Sequence, residues 1–123
     1  MPQIYIQNCE LELGVDNIFF IGNEQKNFIE DEKNIELLLE RLHEFAPIHG
    51  IKINSLEAEI VDDEDFIIVT VHLITSDRTN IDNWINRIFG NDMDEVFMTL
   101  NGFGLSCKGQ KISIPSKRFS KLG

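Results

Sequence analysis

A chain of 123 residues, 42% hydrophobic and 26% charged, has the size and composition of one globular domain able to bury a core, which excludes whole-chain disorder. Its formal net charge of −10 is unevenly placed: six basic against twenty-one acidic residues up to Glu95 leave −15, and five basic with no acidic residues after it leave +5. A body of that sign repels phosphate backbones, which argues against direct nucleic-acid binding, and it speeds encounter with basic proteins.

In chain order, Ile4 and Ile6 and then Cys9, Leu11 and Leu13 alternate with polar residues, with a change of phase near Asn8. Residues 3–13 therefore read as one bulged strand or two short ones. Ile18–Ile21 is an apolar tetrapeptide closed by the turn pair Gly22-Asn23, a second short strand. Ile35, Leu38, Leu39, Leu42, Phe45 and Ala46 recur three or four residues apart, predicting a helix over 31–46 whose start could reach back to Asn27. Glu30, Asp31 and Glu32 suit the positive end of its dipole, and Pro47 and Gly50 stop it.

Residues 51–61 and 66–75 are strand-like runs joined by the acids Asp62, Asp63, Glu64 and Asp65, as in a hairpin. With those four as the loop, Ile60/Ile67, Ala58/Val69 and Leu56/Val71 share a wholly apolar face, which must be the core face. Glu59/Ile68, Glu57/Thr70 and Ser55/His72 take the other face, with Ile53 and Ile74 beyond them. Ile81, Trp84, Ile85, Ile88 and Phe89 predict a second helix over 79–89, capped by Thr79 with Asp82 at the capping-box position and stopped by Gly90. Val96, Met98 and Leu100 alternate as a strand, Asn101-Gly102 and Gly104 signal turns, and Ile112 and Ile114 mark a last short strand before Pro115. The whole predicts a single α+β domain over 1–115, followed by a basic, loosely held tail over 116–123. Its sheet is mixed or antiparallel with two helices on one face. That order fits a ferredoxin-like β-α-β-β-α-β core with extra terminal strands.

Few motifs carry chemistry. Cys9 and Cys107 are far apart and in no zinc-ligand or Cys-x-x-Cys spacing, so they read as reduced thiols. The segment Met1–Tyr5 lacks the basic and apolar regions of a signal peptide, and no run of about 18 apolar residues could span a bilayer. The expectation is a cytoplasmic protein with no membrane partner. Glu40-Arg41-Leu42-His43 has the Glu-x-x-His spacing of di-iron bundles, but one copy on a chain with two helices is helical surface charge. Gly102-Phe103-Gly104-Leu105 resembles part of the glycine-aromatic strand motif of RNA-recognition-motif domains. Here, however, it follows the second helix instead of preceding it, and Cys107 stands where the second aromatic belongs. The glycines therefore read as a turn into the final strand. No nucleophile elbow, phosphate loop or zinc-protease motif occurs, so the chain is expected to be no enzyme and to need no cofactor. Consecutive acids splay apart in a turn, unlike the spaced ligands of a calcium loop, so Asp62–Asp65 is not expected to hold a metal.

What remains is a surface. Asp62, Asp63, Glu64 and Asp65 continue through Glu59 and Glu57 on the open sheet face, beside Phe66, Ile68, Thr70 and His72. A partner rich in Lys and Arg would fit such a surface. Immunity proteins and phage-encoded blockers of nucleic-acid enzymes are similar in acidity, though they share no motif with this chain. The function expected is an inhibitor or neutraliser covering a basic protein surface such as a nuclease active site. The alternative is a structural or assembly module in which the sheet edges and the basic tail join copies together.

Overall fold

A computed structural model describes residues 4–61, 65–90 and 95–112. Two sheets and two helices follow in the order β1 (Ile4–Asp16), β2 (Ile18–Ile21), β3 (Glu24–Asn27), α1 (Glu32–Phe45), a 3-10 turn (Pro47–His49), β4 (Ile51–Ile60), β5 (Phe66–Thr75), α2 (Thr79–Phe89), β6 (Val96–Phe97) and β7 (Leu100–Ile112). The main sheet has the strand order β4-β5-β1-β7 with every pairing antiparallel, which is the ferredoxin-like arrangement expected from the sequence. The additional strands are not terminal. Strands β3-β2-β6 form a separate small sheet inserted between β1 and α1 and between α2 and β7.

The strand period of two sorts the main sheet into two faces. Cys9, Leu11, Leu13 and Val15 of β1 stand opposite Leu73, Val71, Val69 and Ile67 of β5. All eight are buried, in one cluster with Leu38 and Leu42 of α1 and Ile81, Trp84 and Ile88 of α2. The helix stripes read from the sequence are thus the faces that close this core. Trp84 adds a polar tie between the helices, its Nε1 donating to the Leu42 carbonyl at 3.1 Å. Arg41, which sequence alone places on the helix surface, turns inward: it is 5% exposed, donates from Nη2 to the Ile88 carbonyl at 3.2 Å and lies over the Phe45 ring. Glu40 and His43 beside it are exposed.

The β4–β5 pairing follows the expected register through Ile60↔Ile67, Glu59↔Ile68, Ala58↔Val69, Glu57↔Thr70, Leu56↔Val71 and Ser55↔His72. It then departs from expectation. A bulge between Ile53 and Ser55 leaves Asn54 unpaired and sets Ile53 opposite Leu73, on the core side rather than beyond the open face.

Other boundaries shift for local reasons. The register of β1 with β7 runs unbroken through Asn8, and the irregularity lies at Gly14/Val15 instead. Helix α1 starts at Glu32, with the Asp31 side chain accepting from the Lys33 amide. At α2 the residue before the first turn is Arg78, and the carboxylate of Asp77, not Thr79, accepts from the Thr79 amide at 2.9 Å. Strand β3 is wholly polar and has no alternation to announce it; it forms because Gly22, at φ +59°, turns the chain back on β2. Gly102 and Gly104 are not a turn. They lie inside the long strand β7, opposite Gly14 and Glu12. Ile114 and the basic tail 116–123 lie outside the described residues.

Cys9 and Cys107 are directly opposite across β1 and β7 and are joined as a disulfide, correcting the expectation of reduced thiols. Their Cα atoms, 4.0 Å apart, could not have been paired from a sequence separation of 98 without knowing that the first and last strands are neighbours. The bridge fastens an edge strand that contributes little to the core, since Leu100, Leu105 and Cys107 are only partly buried and Phe103 is 52% exposed. Reduction, or Cys9→Ser with Cys107→Ser, is expected to cost about 2–5 kcal/mol of stability. Guanidinium unfolding with and without a dithiol measures this, and an unchanged midpoint would contradict a structural role for the bridge.

Candidate protein-binding face

The face of the main sheet away from the helices is built in rows across the four strands. One row runs Glu57, Thr70, Glu12, Gly104 from β4 to β7; the next runs Glu59, Ile68, Gly14, Gly102. On the other side of the first row lie Ser55, His72, Glu10 and Ser106. Glu10 and Glu12 belong to this surface as fully as Glu57 and Glu59, and all four are exposed. Asp16 stands opposite Phe66 at the end nearest the hairpin tip, where Asp65 is also exposed.

The site residues read from the sequence fall into three groups. Glu57, Glu59, Ile68, Thr70 and His72 share the open face in the expected register. Phe66 is there too, and it, Ile68 and Ile74 are partly buried instead of exposed. Asp62, Asp63 and Glu64 lie outside the described residues. Glu10 and Glu12 join the surface without being among the residues expected from the sequence. Their outward direction follows from Cys9, Leu11 and Leu13 pointing inward; their place beside Thr70 follows only from β1 pairing with β5.

Glycine shapes the face as much as charge does. Gly14, Gly102 and Gly104 leave backbone uncovered beside Glu12, Phe66 and Ile68, forming an open trough of about 330 Å³. Beyond His72 the sign reverses, with Lys52 opposite Ile74 and Lys108 opposite Asn8. Among the described residues the ion pair found is Lys26 to Glu24 on β3, at 2.9 Å, so Glu10, Glu12, Glu57 and Glu59 form no salt bridge with a described cation. No three His, Cys, Asp or Glu among the described residues are grouped to hold a metal, and no described helix is long and apolar enough to cross a membrane.

Neither a protein-family model nor a curated protein matches the chain. Solved structures do. The C-terminal domain of the MgtC protein from Mycobacterium tuberculosis superposes with a TM-score of 0.52 at 7% identity, over 89% of this chain and 95% of that one. At such identity the likeness shows the α+β fold alone.

The four carboxylates repel one another. Glutamates two residues apart on a strand are separated by about 7 Å, and Glu12 and Glu57, two strands apart, by about 10 Å. Each such pair costs about 0.4–0.6 kcal/mol in a water-like dielectric. Replacing Glu10, Glu12, Glu57 and Glu59 together by Gln is expected to stabilise the fold by about 1–2 kcal/mol at low salt. That gain should shrink as salt is added, because screening already relieves the parent protein. Urea unfolding at two ionic strengths tests this; a loss of stability would mean the carboxylates are held by partners and are not a free surface.

Proposed function

We propose that this protein is a non-enzymatic binding protein whose open sheet face covers a basic surface on another protein, blocking it. The observation that carries the reading is the set of four exposed carboxylates, Glu10, Glu12, Glu57 and Glu59, set in adjacent rows of the sheet with no salt bridge to a described cation. Strand pairing fixes the spacing and side of these residues, while their exposed side chains still lose rotamer freedom on binding. Partly buried Phe66 and Ile68, with the glycine trough beside them, offer apolar contact and close approach at the same place. Charge complementarity of this kind chiefly raises the association rate and selects the partner.

A nuclease or another nucleic-acid enzyme is the partner class that fits best, because its substrate groove is cationic and a carboxylate array can take the place of phosphates. Steric occlusion is then sufficient for inhibition. The cytoplasm was the compartment expected from the sequence, but the Cys9–Cys107 bridge favours an oxidising one, where structural disulfides persist. A second reading, self-association through a sheet edge, is favoured by strand β7, which has no partner on its outer side among the described strands.

The test is capture from the producing cell with the intact protein and with Glu10, Glu12, Glu57 and Glu59 all changed to Lys. The partner should be retained by the first and lost with the second, and its association rate should fall steeply as salt rises. Equal capture by both proteins, or an association rate indifferent to salt, would refute the reading.

A further inference from the structure

The main sheet has two edges, and they differ in how they are defended. Edge β4 carries Lys52, Glu57 and Glu59 and is interrupted by the bulge at Asn54, devices that discourage another strand from pairing there. Edge β7 carries such devices only towards its ends, an irregularity at Asn101 and the charges Lys108 and Lys111. From Leu100 to Cys107 it holds no charged residue and no proline, and after the irregularity at its start its register with β1 runs unbroken from Gly102 to Ile112. The helices make their sheet contacts chiefly with β4, whereas β7 packs on β1. Phe103 is left 52% exposed on the side of the sheet that otherwise forms the core.

We propose that β7 is a dimerisation edge, pairing antiparallel with β7 of a second copy about a two-fold axis to make one continuous eight-stranded sheet. The charge pattern selects a second copy of this edge over the other pairings open to it. About an axis at Gly104, Phe103 meets Leu105 of the second copy, Leu105 meets its Phe103, and Lys108 meets its uncharged Leu100. Aromatic and aliphatic side chains become direct cross-strand neighbours, and no like charges are opposed. Self-pairing of β4 about Ala58 would instead set Glu57 against Glu59 in both directions, which is destabilising. Pairing β4 with β7 head to tail leaves a free edge at each end and builds an open chain of subunits, whereas β7 with β7 closes at two. The disulfide supports this geometry by holding β7 on its own β1, so the strand is offered as an edge without being exchanged.

An axis perpendicular to the sheet leaves both open faces on the same side. A dimer would therefore present two acidic faces together; the pairing rests on the self-association reading above and not on the binding of a basic partner.

The experiment is sedimentation velocity on the full oxidised chain over a concentration series, with Phe103→Glu and Phe20→Glu as variants. Phe20 is 40% exposed on the small sheet and tests the competing apolar patch. Far-ultraviolet circular dichroism checks that each variant is folded. The expected result is a species of twice the chain mass, weakened at least about tenfold by Phe103→Glu and unaffected by Phe20→Glu. Amide exchange on the unmutated protein gives an independent reading: alternate amides of residues 101–107 should slow as concentration rises. A protein that stays monomeric throughout, a dimer indifferent to Phe103→Glu, a dimer lost in Phe20→Glu, or no concentration-dependent protection in β7 would each overturn the proposal.

Discussion

The register of β1 between β5 and β7 is the constraint on which the rest of this molecule depends. A strand has two faces, and a slip of one residue exchanges them. In the observed register Leu11, Leu13, Val15, Ile67, Val69, Val71 and Leu73 all reach the core. At about 1.5–3 kcal/mol for each buried aliphatic side chain, that set contributes on the order of 10–20 kcal/mol, as much as or more than the whole net stability of about 5–15 kcal/mol usual for a domain. Slipping β1 by one residue would also turn Glu10 and Glu12 inward, where uncompensated charge is costly. Two independent penalties therefore enforce the same register, and the disulfide between Cys9 and Cys107 is possible only in it.

The acidic face follows from that register and is not an independent feature. Once Cys9, Leu11 and Leu13 point to the helices, Glu10 and Glu12 have no choice but the solvent side. The hairpin brings Glu57 and Glu59 to the same side by the same rule. Four carboxylates on a rigid surface work against stability, which is reason to look to a partner for the compensation the fold does not supply. The glycines opposite Glu12 and Gly14 belong to the same design, since any Cβ there would cover backbone that is now open.

The parts of the fold that rest on local pattern were legible in the sequence. Both helix stripes, the β4–β5 hairpin register and the β-α-β-β-α-β order came from periodicity, because each is decided by neighbours a few residues away. What escaped notice depends on contacts distant in the chain. Strand β3 has no apolar period and exists through a tight turn and its pairing with β2. The bulge at Asn54 moves Ile53 to the core side, and no local residue announces it. Gly102 and Gly104 carry turn signals but lie in a strand, because opposite them on β1 the sheet face needs no bulk. The disulfide and the membership of Glu10 and Glu12 in the acidic face both required knowing that β1 is the middle of the sheet. A ferredoxin-like order implies that position.

Charge and edge are thus two outputs of one arrangement: a central strand that fixes which side chains face outward, and a last strand clipped to it that forms the edge of the described sheet. The most direct measurement of the central claim is a set of cross-strand nuclear Overhauser contacts in solution. The account predicts close backbone contacts between Glu10 and His72, Glu12 and Thr70, and Glu10 and Ser106. Contacts displaced by one residue, such as Glu10 with Val71 or with Leu105, would place the carboxylates on the core side and contradict it.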